Sequence, residues 1–118
     1  MIHNLNTSLT IQTIAPAKGE HSMCLRLTGR LAGDAAYMLR RAVEPVFVTP
    51  STPTLKLMMD GVKYMDSSGV GAIIYIIKQM RERGGKLEIH GLSDVGRELF
   101  QILKLASLKE VVTLCDED

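Results

Sequence analysis

The sequence predicts an α/β fold: one domain over 1-118, with a largely parallel β-sheet that an N-terminal hairpin extends by an antiparallel strand. Three observations predict it. After two strand-like runs, helical and strand-like segments alternate to the end, and strand–helix–strand order implies right-handed crossovers onto parallel neighbours. A chain of 118 residues is long enough to bury one self-sufficient core. One helix, opening at Asp66 and stopping at Gly84-Gly85, carries the signals for both its ends.

The elements follow in order. Leu9–Ile14 alternates apolar and polar residues, as a half-buried strand does. Residues 16–20 supply turn chemistry, and Met23–Leu27 resumes as the second hairpin strand, ended by Thr28-Gly29-Arg30. Asp34 is placed to cap a helix through Glu44, and Pro45 breaks it. Phe47–Pro53 reads as an irregular connection, Leu55–Met59 as an interior strand and Gly61–Met65 as a lead into the next helix. Leu87–His90 is a short strand that feeds a third helix through Ser93 and Asp94. That helix carries Val95, Leu99, Ile102, Leu103 and Ala106 on one stripe. Lys109–Leu114 is the last strand, and Asp116–Asp118 an acidic, frayed end with Cys115 in the tail.

The helix after Met65 organises the rest. Asp66, Ser67 and Ser68 are residue types that accept hydrogen bonds from first-turn amides. Val70, Ile73, Ile74, Ile77 and Met80 recur at helical spacing and predict a core-facing stripe. Lys78, Arg81 and Arg83 place cations where the helix dipole favours them, and Gly84-Gly85 predicts a left-handed stop.

Composition narrows the function classes. Apolar residues make 46% of the chain and charged ones 23%, ordinary for a globular protein, while aromatics are scarce at 4% without tryptophan. The core is therefore built of Leu, Ile, Val and Met. A net charge of +1 argues against nucleic acid or an anionic membrane as a partner held by bulk electrostatics. Val70–Ile77, the longest apolar run, falls far short of the ~20 residues that span a bilayer. The first residues show no secretory pattern, and Cys24 and Cys115 have neither CxxC nor metal-ligand spacing, so a reduced, cytoplasmic setting is expected.

A search for chemistry returns little. His3, His21 and His90 are scattered and belong to no motif, and Met65–Gly69 does not match the G-x-S-x-G elbow of hydrolases. Gly69-Val70-Gly71 lacks the third glycine of a dinucleotide fingerprint, and no loop ends in Gly-Lys-Ser/Thr. The expectation is no catalytic residue, no metal ligand and no cofactor: a regulator, not an enzyme. Ser67 has two readings. It is either a capping hydroxyl, worth about 0.5–2 kcal/mol to the helix, or an acceptor that another protein phosphorylates. Phosphate there meets first-turn amides and the positive dipole end, so it changes surface charge by about −1.5 to −2 while leaving the helix folded.

Tyr64-Met65-Asp66-Ser67-Ser68-Gly69-Val70-Gly71 strongly resembles the signature of STAS domains, specifically the anti-sigma factor antagonists. Leu25–Leu31, Gly84–Leu87 and Leu99–Leu108 resemble the family's second strand and turn, its following strand entry and its last helix. The resemblance implies a mixed sheet with helices packed mainly on one side, and partner switching in bacteria. An anti-sigma factor serine kinase binds the unphosphorylated antagonist and releases its sigma factor; phosphorylation ends that complex and a phosphatase restores it. By motif match the acceptor is Ser67, ATP belongs to the kinase, and the binding face comprises Lys63, Tyr64, Asp66, Ser67, Ser68, Gly69 and Gly71. A homodimer is compatible with this scheme. Two positions depart from the family pattern: Ala32 and Met58 stand where acidic residues often lie near the phosphorylation site, with Asp34 and Asp60 two residues on. The alternatives are a soluble STAS subunit of a transport or stress-signalling complex that binds without phosphorylation, and a nucleotide-binding module.

Overall fold

A computed structural model of the chain describes residues 9–15, 22–48, 54–102 and 111–115, with the side chains of residues 95 and 99 excepted. The element order is β1 (Leu9–Ile14), β2 (Ser22–Leu31), α1 (Asp34–Ala42), α2 (Glu44–Phe47), β3 (Thr54–Met65), α3 (Ser67–Glu82), β4 (Lys86–His90), α4 (Asp94–Ile102) and β5 (Val112–Cys115). The five strands form one sheet in the order β1-β2-β3-β4-β5. β1 is antiparallel to β2 and every other pair is parallel. This is the predicted mixed sheet, with the hairpin as its antiparallel margin.

Alternation along the strands decides which face is covered. Leu25, Leu57 and Ile89 stand side by side across β2, β3 and β4, and Leu55, Leu87 and Val112 form the adjoining row. All six are buried. They meet Ala72, Ile73, Ile76, Ile77 and Met80 of α3 and Ala35, Ala36 and Leu39 of α1 in one core, with Val43 and Phe100 at its margins. The residues between them, among them Arg26, Lys56, Met58, Glu88 and His90, point to the other face and remain exposed or half-buried. The helices therefore pack on one side, because only one face of the sheet is apolar.

Several local readings need correction. Thr28-Gly29-Arg30 does not end β2; the strand runs on to Leu31, and Gly61–Met65 is the second half of β3. Gly29, at φ 112°, bends the strand, and the register slips twice as β3 takes an extra residue between Arg26 and Thr28 and again between Gly29 and Arg30. Asp34 is the first residue of α1, not its cap; that place belongs to Gly33, at φ 57°. Pro45 does mark a break, sitting near the start of the short α2 where its missing N–H costs nothing.

Ile73, Ile77 and Met80 of the expected α3 stripe are buried, but the stripe is centred toward Ala72 and Ile76, which are also buried, while Val70 and Ile74 are half-buried at its edge. In α4 the structure buries Gly96 and Phe100 and leaves Ile102 67% exposed, so Ile102 is not on the core stripe. Ser93 caps this helix, its Oγ accepting from the Gly96 N–H at 3.1 Å. Cys115 closes β5 and is not in a tail. His3, His21, Leu103, Ala106, the expected turn at 16–20, the span 49–53 and the acidic end 116–118 lie outside the described residues. Among the described residues no helix is long and apolar enough to cross a membrane.

Candidate functional site

The site is the opening of α3, and its position is set by how tightly that opening is drawn onto the end of β2. The Asp66 N–H donates to the Leu31 carbonyl at 3.4 Å, tying the residue before the helix to the last residue of β2. Gly69 then passes directly over Leu31. A Cβ at Gly69 would collide with the Leu31 carbonyl oxygen and lie 2.7 Å from Met65 Cγ. Only glycine fits there. Gly71, two residues on, has open space where a Cβ would be. Both were expected on a binding face; Gly71 is exposed, but Gly69 is buried and its contribution is to let the helix approach.

Asp66 has extended backbone, and its Oδ1 accepts from the Gly69 N–H at 3.0 Å. It is the N-cap of α3, with its own carbonyl taking the Val70 N–H at 3.0 Å. Ser67 is thus the first helical residue, and Ser68 the second; both are exposed. The choice between cap and acceptor is sharpened by this. The capping role is filled by the Asp66 carboxylate, and the Ser67 hydroxyl stands one position further along, facing outward at the amide-rich end.

The surroundings are polar and open. Lys63 is exposed, and Tyr64 is 45% exposed beneath the Arg30 guanidinium, which sits 4.1 Å from its ring centroid. Arg30 pairs across the ladder with Tyr64, so β2 brings a cation to the strand that leads into the helix. No local pattern points to Arg30, because its approach depends on strand register. The strand that leads into α3 thus carries exposed Lys63 and, over Tyr64, the Arg30 guanidinium, while Asp66 is engaged with the Gly69 N–H. Met58 lies elsewhere. It stands on the uncovered face in register with Arg26 and His90, seven residues before β3 ends, or roughly 20 Å of strand. A carboxylate at that place would not be beside Ser67. Asp34 and Asp60 are both exposed.

A second surface feature was not legible in sequence: an open groove of about 800 Å³ between β1 and α1–α2, lined by Ile11, Tyr37, Met38 and Val48 among others. Tyr37, Met38 and Val48 are large apolar side chains left exposed.

Comparison with known proteins agrees with this architecture. The model of the STAS domain matches residues 12–116. The anti-sigma-B factor antagonist of Bacillus subtilis is 24% identical over 97 residues, 82% of this chain and 84% of that protein. The anti-sigma-B factor antagonist of Listeria monocytogenes is 27% identical over 88 residues, covering 75% and 74%. Among solved structures, the Bacillus cell fate determinant SpoIIAA in its phosphorylated form superposes with a TM-score of 0.72 at 20% identity, over 92% of each chain.

Proposed function

The chain belongs to the STAS domain family, and from that premise we propose that it is an anti-sigma factor antagonist switched by phosphorylation of Ser67. In this reading it binds an anti-sigma factor serine kinase through the α3 opening, freeing a sigma factor for transcription. The kinase brings ATP, transfers phosphate to the Ser67 hydroxyl and is then released. A phosphatase resets the cycle.

The observation that carries the reading is the division of labour at the helix start. Asp66 caps α3, so the neighbouring exposed Ser67 hydroxyl is not needed for the cap. A hydroxyl there can take a dianionic group without unsatisfying a buried partner, and the helix N-terminus favours the added charge. The face offered to the kinase is Lys63, Tyr64, Ser67, Ser68 and Gly71, with Asp66 and Gly69 shaping it from beneath. Adding about −1.5 to −2 charges in the middle of such a face is costly for a partner that buries it without supplying cations. The anti-sigma factor antagonists among its relatives supply the choice of partner class.

The test is to incubate the protein with its cognate kinase and ATP and locate the modification by mass spectrometry. Label is expected on Ser67 and absent from Ser67→Ala. Label that persists in Ser67→Ala would move the acceptor to another residue.

A further inference from the structure

The uncovered face of the sheet holds a cluster that the switch at Ser67 does not use. Glu88 and His90 lie two residues apart on β4 and so project from the same face. Cys115, the last residue of β5, is the ladder partner of His90 in a parallel pair, which puts its side chain on that face too. One donor atom from each, a carboxylate oxygen, an imidazole nitrogen and the thiol sulfur, lie within 4.8 Å of one another. His90 Nε2 and Glu88 Oε1 are already 3.0 Å apart, and Cys115 is in no disulfide.

From this geometry we infer a binding site for a borderline divalent metal ion of the zinc type, with Glu88, His90 and Cys115 as ligands. Tetrahedral zinc holds nitrogen and oxygen at about 2.0–2.2 Å and sulfur at about 2.3 Å, which places ligand atoms roughly 3.3–3.6 Å from each other. The Glu88–His90 spacing is near that range, and side-chain rotations close the two sides that run to the Cys115 sulfur, each no longer than 4.8 Å. The Glu88–His90 hydrogen bond gives way when the metal binds: the neutral imidazole carries its hydrogen on Nδ1 and offers the Nε2 lone pair, the carboxylate oxygen turns to the ion, and the thiol proton leaves to solvent as the thiolate binds.

The donor set selects the ion. One sulfur, one nitrogen and one oxygen suit zinc or its analogue cobalt, whereas calcium and magnesium call for sets of oxygens. All three side chains are half-buried, so the fourth position opens outward, where water completes the shell. The strands hold the donors in place: Leu87–Val112 and Ile89–Leu114 pair on the core side, and the Gly91 N–H donates to the Cys115 carbonyl at 3.3 Å. Because two ligands lie on β4 and one on β5, the ion also fastens the four-residue margin strand to the sheet.

The test uses the full chain, reduced and stripped with a chelator, titrated with Zn²⁺ by calorimetry and with Co²⁺ by absorption. One Zn²⁺ per chain is expected, with a thiolate-to-cobalt charge-transfer band in the near ultraviolet and a melting temperature that rises with Zn²⁺ concentration. Cys115→Ser should abolish the band and weaken Zn²⁺ binding by at least ~10–100-fold, the loss that even outer-shell changes cause at such sites. Glu88→Gln should weaken it too, while Cys24→Ser, on β2, should leave both readouts unchanged. The wild-type cobalt band reports thiolate ligation even if a variant fails to fold. Absence of stoichiometric binding, cobalt bound without that band, or a band that survives Cys115→Ser would overturn the site.

Discussion

At its C-terminal end α3 is fastened from several directions, whereas at its N-terminal end a single side-chain hydrogen bond finishes it. Beyond Arg83 the Gly85 N–H reaches back to the Met80 carbonyl at 2.7 Å and the Gly84 N–H to Arg81 at 3.1 Å, with Gly84 at φ 71°. Arg83 adds an Nε bond to the Phe47 carbonyl at 2.9 Å and a bond to Gln79 Oε1 at 2.7 Å. Phe47 packs edge-on against Tyr75, whose other contact is the Arg40 guanidinium, 4.0 Å from the ring centroid. Opposite this, the N-terminal end has the Asp66 cap, one backbone bond to Leu31 and buried Gly69 beneath exposed Ser67, Ser68 and Gly71. The contrast shows how a helix can be held rigidly while its tip stays chemically available. On the proposed reading, a group added at Ser67 changes the surface offered to a partner, while the bonds that hold the C-terminal end of α3 stay as they are.

The strongest way to break that contrast is to attack the buried length of α3. Ile77 is 1% exposed in the common core. In Ile77→Asp a lone carboxylate must be desolvated or the helix displaced, at a cost of several kcal/mol. A collapse of the urea midpoint is expected, with loss of the native far-ultraviolet signal at low denaturant. A midpoint close to wild type would mean that α3 does not anchor the site.

A smaller effect separates the two glycines of the tip. Gly69→Ala drives a methyl group into the Leu31 carbonyl and Met65. Because one of these is backbone, the helix start must shift, and about 1–3 kcal/mol of stability should be lost. Gly71→Ala meets nothing within 4 Å and lies inside a helix. It should gain roughly 0.5–1 kcal/mol through the lower helix cost of alanine. Urea melts of the two variants should therefore move in opposite directions. Equal shifts would mean that the close approach of α3 to β2 is not what glycine serves here.

The ends of α3 were legible in sequence because caps are local: the run of capping residue types over Asp66–Ser68 at the start and Gly84-Gly85 at the stop need only their own neighbours. The succession of strands and helices along the chain was legible for the same reason, since apolar alternation and turn residues lie within a few positions. What failed was anything set by register. Gly29 read as part of a strand end and Gly61 as the start of a lead into the helix, yet both lie inside long strands at a bulged join, with a Cβ at Gly61 only 3.0 Å from the Leu27 carbonyl. The α3 stripe was right at Ile73, Ile77 and Met80 but misplaced at its edge, because Val70 and Ile74 are as apolar as Ile76 and only packing chooses among them. Arg30 over Tyr64, and Glu88 and His90 beside Cys115, arise from strand pairing between residues 25–34 positions apart. For the candidate site, the motif match singled out Ser67 as the acceptor; that Asp66 rather than Ser67 supplies the cap required the structure.

The smallest expected change bears most directly on function. Ser67→Asp places a carboxylate in the first turn of α3, where the dipole offers about 0.3–1 kcal/mol. The adjacent Asp66 carboxylate opposes it, so the net shift in the urea midpoint should lie within about 0.5 kcal/mol of wild type. Over the same change the local charge falls by one unit on an exposed face. Retention of the kinase in a pull-down should drop while the melt barely moves. If Ser67→Asp unfolded the protein instead, loss of the partner would report damage to the helix start. The tip and the anchored end of α3 would then be one cooperative unit, and the separation between switch and scaffold would not hold.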